Sequence, residues 1–123
     1  MSENLADVVV LEQRIEAAVL RRLVERFEDM VKFVVDVERG VIAIGGEMHS
    51  DADEVLLESG SRQADLWGAN YYPGRGRESC IEFTSFINIR PSAGNRGMEV
   101  QDEALRARVR AITFALVGEG EPL

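Results

Sequence analysis

Glu47, His49 and Asp51 stand two residues apart within Gly45-Gly46-Glu47-Met48-His49-Ser50-Asp51-Ala52-Asp53. On an extended strand that spacing sends all three side chains to one face. A carboxylate–imidazole–carboxylate set is a ligand group for zinc, manganese or iron, with Asp53 as a further oxygen donor. A divalent metal held there would support a metal-assisted hydrolase. The plainer reading is helix-cap chemistry, with Asp51 and Asp53 near a helix N-terminus and His49 bonded to backbone. The chain has one histidine, whereas metal sites usually recruit more.

The second polar segment is Phe86-Ile87-Asn88-Ile89-Arg90-Pro91-Ser92-Ala93-Gly94-Asn95-Arg96. Arg90 and Arg96 could clamp a phosphate or carboxylate with two guanidinium forks. Asn88 and Asn95 would add neutral donors. Ser92-Ala93-Gly94-Asn95 can curl so that backbone N–H groups converge on an anion. The loop arginines Arg75 and Arg77 could close over the top. The scaffold reading gives Arg90 a carboxylate partner across a sheet, lets Asn88 satisfy a strand edge, and has Pro91 stop the strand. Trp67, Asn70, Tyr71 and Tyr72 could stack on a planar ligand, although core packing is the commoner use of such residues.

Nucleophilic catalysis has little support. Cys80 lies in no local signature that would pair it with His49, and no serine sits on a recognisable elbow. Gly45-Gly46 and Gly74-Arg75-Gly76 lack the spacing of a phosphate loop or a dinucleotide fingerprint.

Each polar segment ends an apolar run, so the elements that must present them can be read from periodicity. Val8–Leu11 is a β-branched strand. Apolar residues at three- and four-residue spacing predict a helix from about Ile15 to Met30. Val31–Glu38 alternates as a half-buried strand, and Arg39-Gly40 turns it into Val41–Ile44, an antiparallel hairpin. Ser50–Gly60 reads either as a helix with a Ser50/Asp53 capping box or as a strand turning at Ser59-Gly60-Ser61. Leu66–Tyr72 is a strand, with Gly68 marking a close backbone approach or a bulge. A mobile loop is expected over Pro73–Ser79. Ile81–Ile89 alternates as a further strand. Asp102 caps a last helix with the stripe Leu105, Val109, Ile112 and Leu116, which Gly118 ends; the tail beyond it is expected to fray. The order predicts an α+β fold: a mainly antiparallel sheet of four to six strands, with an N-terminal-half helix and a C-terminal helix packed on it.

With 123 residues, 46% of them hydrophobic, the chain suits one domain (1–123, ordered core about 8–117) that needs no staple. A single cysteine excludes an intrachain disulfide. The net charge of −8 argues against non-specific nucleic-acid binding. Residues 62–97 nevertheless carry five arginines against three acids, which leaves room for a local anion site. Lys32 is the only lysine. Short, interrupted apolar stretches predict no membrane contact, and the acidic start predicts a cytoplasmic protein.

Three strings, Gly46-Glu47-Met48-His49, Leu66-Trp67-Gly68-Ala69-Asn70-Tyr71-Tyr72-Pro73 and Ile87–Arg96, together resemble a small prokaryotic family catalogued as a domain of unknown function. The resemblance covers roughly Val8 to Val117 and implies no substrate, cofactor or catalytic residue. The leading expectation is therefore a binding domain for a small anionic or zwitterionic molecule, gripped between the Glu47–Asp51 and Asn88–Arg96 segments. That requires the two segments to meet. The alternatives are the hydrolase using Glu47, His49 and Asp51, and a protein-interaction or regulatory module that dimerises through an exposed strand edge or the acidic first helix.

Overall fold

A computed structural model of the chain describes residues 7–123, so the acidic start at Met1–Ala6 lies outside the described residues. Its elements are β1 (Val8–Leu11), α1 (Ala17–Arg26), β2 (Val31–Asp36), β3 (Val41–Gly45), α2 (His49–Glu58), β4 (Leu66–Tyr71), β5 (Ile81–Glu82) and α3 (Glu103–Leu116). The strands form one antiparallel sheet in the order β1-β3-β2-β4-β5. This is the expected α+β architecture.

The sheet has two covered faces. Phe33, Val35, Ile42, Ile44, Trp67, Ala69 and Tyr71 pack beneath α1 and α3, against Leu20, Leu23, Val24, Val109 and Ile112. Val34, Val41, Ala43 and Leu66 point the other way and meet Ala52 and Leu56 of α2. β2 is thus buried on both faces, not half-buried as its alternation predicts. Its polar residues survive at the ends of the α2 footprint. Asp36, fully buried, accepts from the N–H groups of Glu38 and Arg39 at 2.9 and 2.8 Å and so shapes the hairpin turn. Lys32 lies at the opposite end, where α2 begins.

The Ser50–Gly60 ambiguity resolves as helix. The cap lies two residues earlier than Ser50: Met48 is extended, and its N–H donates to the Asp51 carboxylate at 3.0 Å. An acid in the first turn also suits the positive end of the helix dipole. Asp102 caps α3 as expected, its Oδ1 accepting from Leu105 N at 2.9 Å.

α1 is shorter than the apolar stripe predicts. Glu28 takes a positive φ of 75°, which turns the chain into β2, while Ile15 ties the start of α1 to α3 by donating its N–H to Leu116 O at 2.9 Å. The C-terminal tail is pinned, contrary to expectation. Gly120 N donates to the Tyr71 hydroxyl at 2.9 Å, and the N–H groups of Gly74 and Gly76 donate to Gly120 O at 3.0 Å. At Gly120 (φ +83°) a Cβ would fall 2.5 Å from Gly76 O, so the strap needs glycine.

The largest departure is at Ile81–Ile89. Pairing with β4 stops after Glu82; a 3-10 turn follows at Phe86–Asn88 and another at Pro91–Ala93. The edge of β4 then lacks a strand, and Asn88 replaces it. Its Oδ1 accepts from Gly68 N and its Nδ2 donates to Gly68 O, both at 2.9 Å. A side-chain amide carries the same donor and acceptor as a backbone peptide, so one asparagine completes the ladder.

Candidate functional site

The expected metal set does not assemble. Its premise was an extended strand, but β3 ends at Gly45 and His49 opens a helix, so the two-residue spacing no longer aligns side chains. Glu47 turns to Arg26 of α1, 3.8 Å away. Asp51 is occupied at the helix cap, and Asp53 accepts from Gln63 Nε2 at 3.1 Å. Among the described residues, no three of His, Cys, Asp or Glu are grouped to hold an ion.

The Asn/Arg cluster is present but inwardly committed. Asn88 is fully buried, and besides Gly68 it donates to Met98 O at 3.0 Å. Asn95 Nδ2 lies 2.9–3.0 Å from the carbonyls of Asn88, Gly97 and Glu99, and its Oδ1 accepts from Gln101 N. Arg90 donates to the carbonyls of Ile87, Ala64 and Leu66, and its guanidinium lies 4.2 Å from the Trp67 ring centroid. These three side chains hold the irregular 83–101 segment against the sheet. Arg96 is exposed. Trp67 is buried, its indole ring in the core face beneath α1 and α3. Arg75 and Arg77 are drawn aside: Arg75 lies over the Tyr72 ring, and Arg77 pairs with Glu119 at 2.7 Å.

The Glu47–Asp51 segment forms a hollow with Ser85, Phe86 and Ile87, and none of Asn88–Arg96 lines it. This hollow, of about 230 Å³, opens beside the start of α2, lined by Lys32, Glu47, Met48, His49, Ser50, Ser85, Phe86 and Ile87. The Phe86 side of it comes from the 3-10 turn that interrupts the expected strand. Gly68 brings the walls together, since a Cβ there would lie 2.8 Å from Ser85 Cβ and Oγ and 3.2 Å from His49 Cδ2. The crowding at Gly68 thus comes from the Ser85 and His49 side chains, not from the backbone approach that the sequence predicts.

His49 Nε2 lies 2.8 Å from Ala69 O. A carbonyl only accepts, so Nε2 carries the proton and Nδ1 is the ring's remaining acceptor. Burial lowers its pKa, Lys32 adds to that, and the Ala69 bond opposes it. The imidazole is accordingly neutral near pH 7. Asn70, the register partner of Lys32 across β2 and β4, donates to Glu82 Oε1 at 2.8 Å, while its buried Oδ1 has no hydrogen-bond partner among the described residues. Cys80 is buried among the residues beneath α1 and α3, not in the α2 layer with His49, and burial pushes its thiol up. A Cys80–His49 dyad is thus excluded by position.

The sequence reading passed over Lys32, Ser85, Met48 and Phe86. Lys32 carried a signal: it is the sole lysine, set in an apolar strand. Phe86 carried none, because strand alternation assigned it an ordinary place.

His49 makes stability pH-dependent. In the unfolded chain the imidazole titrates near 6.5, and in the fold lower. Between those values the unfolded state binds a proton that the native state refuses, so stability falls as pH drops through 6.5 and is fully retained above it. Urea midpoints measured from about pH 7.5 to pH 5 should show this fall, and His49→Gln, which keeps a donor for Ala69, should flatten it.

A family model described as "Protein of unknown function (DUF5674)" matches residues 9–116. No curated protein and no solved structure matches the chain. Among the described residues no helix is long and apolar enough to cross a membrane.

Proposed function

The chain belongs to the DUF5674 family, and we propose that this member binds a small amphipathic anion in the hollow beside His49. One observation carries the reading. The only lysine, Lys32, stands half-buried at the hollow, and among the described residues no carboxylate lies within 4.0 Å of its ammonium. Its nearest aromatic neighbour is Phe27, whose ring centroid is 5.3 Å from Nζ. A partly desolvated cation of this kind favours an anionic partner. Neutral His49 neither repels the anion nor competes for it.

The walls set the rest of the ligand. Met48 and Phe86 are 60% and 76% exposed, an unusual display of large apolar side chains on both sides of a cation. An apolar body between them, with a carboxylate reaching Lys32, satisfies both features. The volume is below the roughly 300–1,000 Å³ of ordinary ligand pockets, so a short acyl or single-ring acid fits and a large cofactor does not. The anionic character expected from the sequence is kept, while the cation that meets it is Lys32 in place of Arg90 and Arg96.

Calorimetric titration with hexanoate and benzoate tests this. Saturable binding is expected, and Lys32→Met should weaken it by at least about tenfold, the loss of one charge-assisted contact. Hexanol should bind the native chain no better than hexanoate binds the Lys32→Met variant. Equal affinity in native and variant chains, or no saturable binding of either acid, would remove the reading.

A further inference from the structure

A second cleft, of about 350 Å³, opens beside β5 and the start of α3 and shares no lining residue with the His49 hollow. Two arginines one helical turn apart, Arg106 and Arg110, place their guanidinium carbons 4.6 and 5.3 Å from the centroid of one ring, Phe83. Arg75 comes from the Pro73–Ser79 loop and lies 3.8 Å from the centroid of Tyr72. Like charges four residues apart on a helix repel, so placing two cations on one ring is unfavourable unless an anion bridges them. Stacking fixes the guanidinium planes and leaves in-plane N–H donors for a partner.

The ion pairs that these arginines make are few and exposed. Among the described residues Arg110 has none within 4.0 Å. Arg75 meets Asp29 at 3.9 Å and Arg106 meets Glu99 at 3.4 Å, and both acids are mostly solvent-exposed, so these pairs are weak and easily displaced. Arg106 is also aimed by its Nε, which donates to Val100 O at 2.7 Å.

The lining also carries three acids, Glu78, Glu82 and Glu99. Glu82 is held in place, its Oε1 accepting from Asn70 Nδ2 and from the Tyr72 hydroxyl at 3.1 Å. A bare phosphate would be repelled by such acids. A phosphate that carries hydroxyl groups would use them as acceptors. We propose that this cleft is a binding site for a small sugar phosphate, with Arg75, Arg106 and Arg110 on the phosphate and the glutamates on the hydroxyls.

The probes are ribose 5-phosphate, glucose 6-phosphate, inorganic phosphate and ribose, titrated calorimetrically into the whole chain. At least one sugar phosphate should bind saturably and at least about tenfold more tightly than inorganic phosphate. Ribose alone should give no saturable binding. Arg110→Gln should weaken the sugar phosphate by at least about tenfold with little change in melting temperature, because Arg110 is exposed and its one contact among the described residues is the stacking on Phe83. Lys32→Met should leave this affinity unchanged, which separates the cleft from the hollow. No saturable sugar-phosphate binding, equal affinity for inorganic phosphate, or an Arg110→Gln chain that binds as the native one does would each overturn the assignment.

Discussion

An Asn88→Ala chain will be less stable than the native chain by about 2 kcal/mol or more, since two buried groups and one part-buried group lose their partner, at about 1–3 kcal/mol for each buried group that no water reaches. Those groups are the N–H and C=O of Gly68 and the C=O of Met98. Alanine removes a fully buried side chain and offers no polar atom in return. The loss is of the size of a native chain's usual margin divided by a few, so the variant should still fold at low temperature. Urea unfolding measures it as a lower midpoint at nearly unchanged slope. A shift worth less than about 1 kcal/mol would show that solvent can stand in for the amide and that the β4 edge does not depend on Asn88.

Gly68→Ala should also destabilise, by about 1–3 kcal/mol, because the new methyl overlaps a packed neighbour. The distances are 2.8 Å to Ser85 Cβ and Oγ and 3.2 Å to His49 Cδ2. Replacing glycine in a strand otherwise stabilises, by about 0.4–1 kcal/mol through the unfolded state, so the overlap must exceed that gain for the sign to hold. Ser85 is bound to its own turn, its Oγ accepting from Ile87 N at 3.2 Å, and cannot retreat freely. The same substitution should therefore shift the wall of the hollow and weaken hexanoate binding. Gly68→Ala combined with Ser85→Gly removes the two closest atoms and leaves His49 Cδ2. The double variant should be more stable than the sum of the single changes, by a coupling of about 1 kcal/mol. Simple additivity would place the strain elsewhere.

The parts legible in the sequence were those governed by local periodicity. The β2–β3 hairpin, α3 with its Asp102 cap, and the placement of a helix at each expected position follow from spacings of two and of three to four. What failed was non-local. Ile81–Ile89 alternates as a strand should, yet the chain leaves the sheet because Asn88 satisfies the β4 edge better from a turn. Nothing within that stretch signals it, since Gly68 lies twenty residues away. The metal reading failed for a related reason: the side-chain alignment of Glu47, His49 and Asp51 depended on a strand continuing past Gly45, and Asp51 is instead the acceptor that starts α2. Of the second segment's polar residues, Asn88, Arg90 and Asn95 lie together, while Arg96 is exposed. The hydrogen bonds of the first three turn inward to carbonyls of the chain itself, which residue types alone do not reveal. Lys32 is visible in the strand pattern, but its meaning comes from its place in the hollow beside the first residues of α2.

The lone lysine makes the central claim directly observable. A chain labelled at lysine Cε and Nζ gives one side-chain signal by magnetic resonance, and the single histidine gives a second, independent one. Titration with hexanoate should move the Lys32 signal and the His49 ring signal together along one saturating curve, with the His49 shift lost or strongly reduced in Lys32→Met. Signals that stay fixed, or that drift without saturating while distant residues respond, would contradict an anion seated between Lys32, His49 and Phe86.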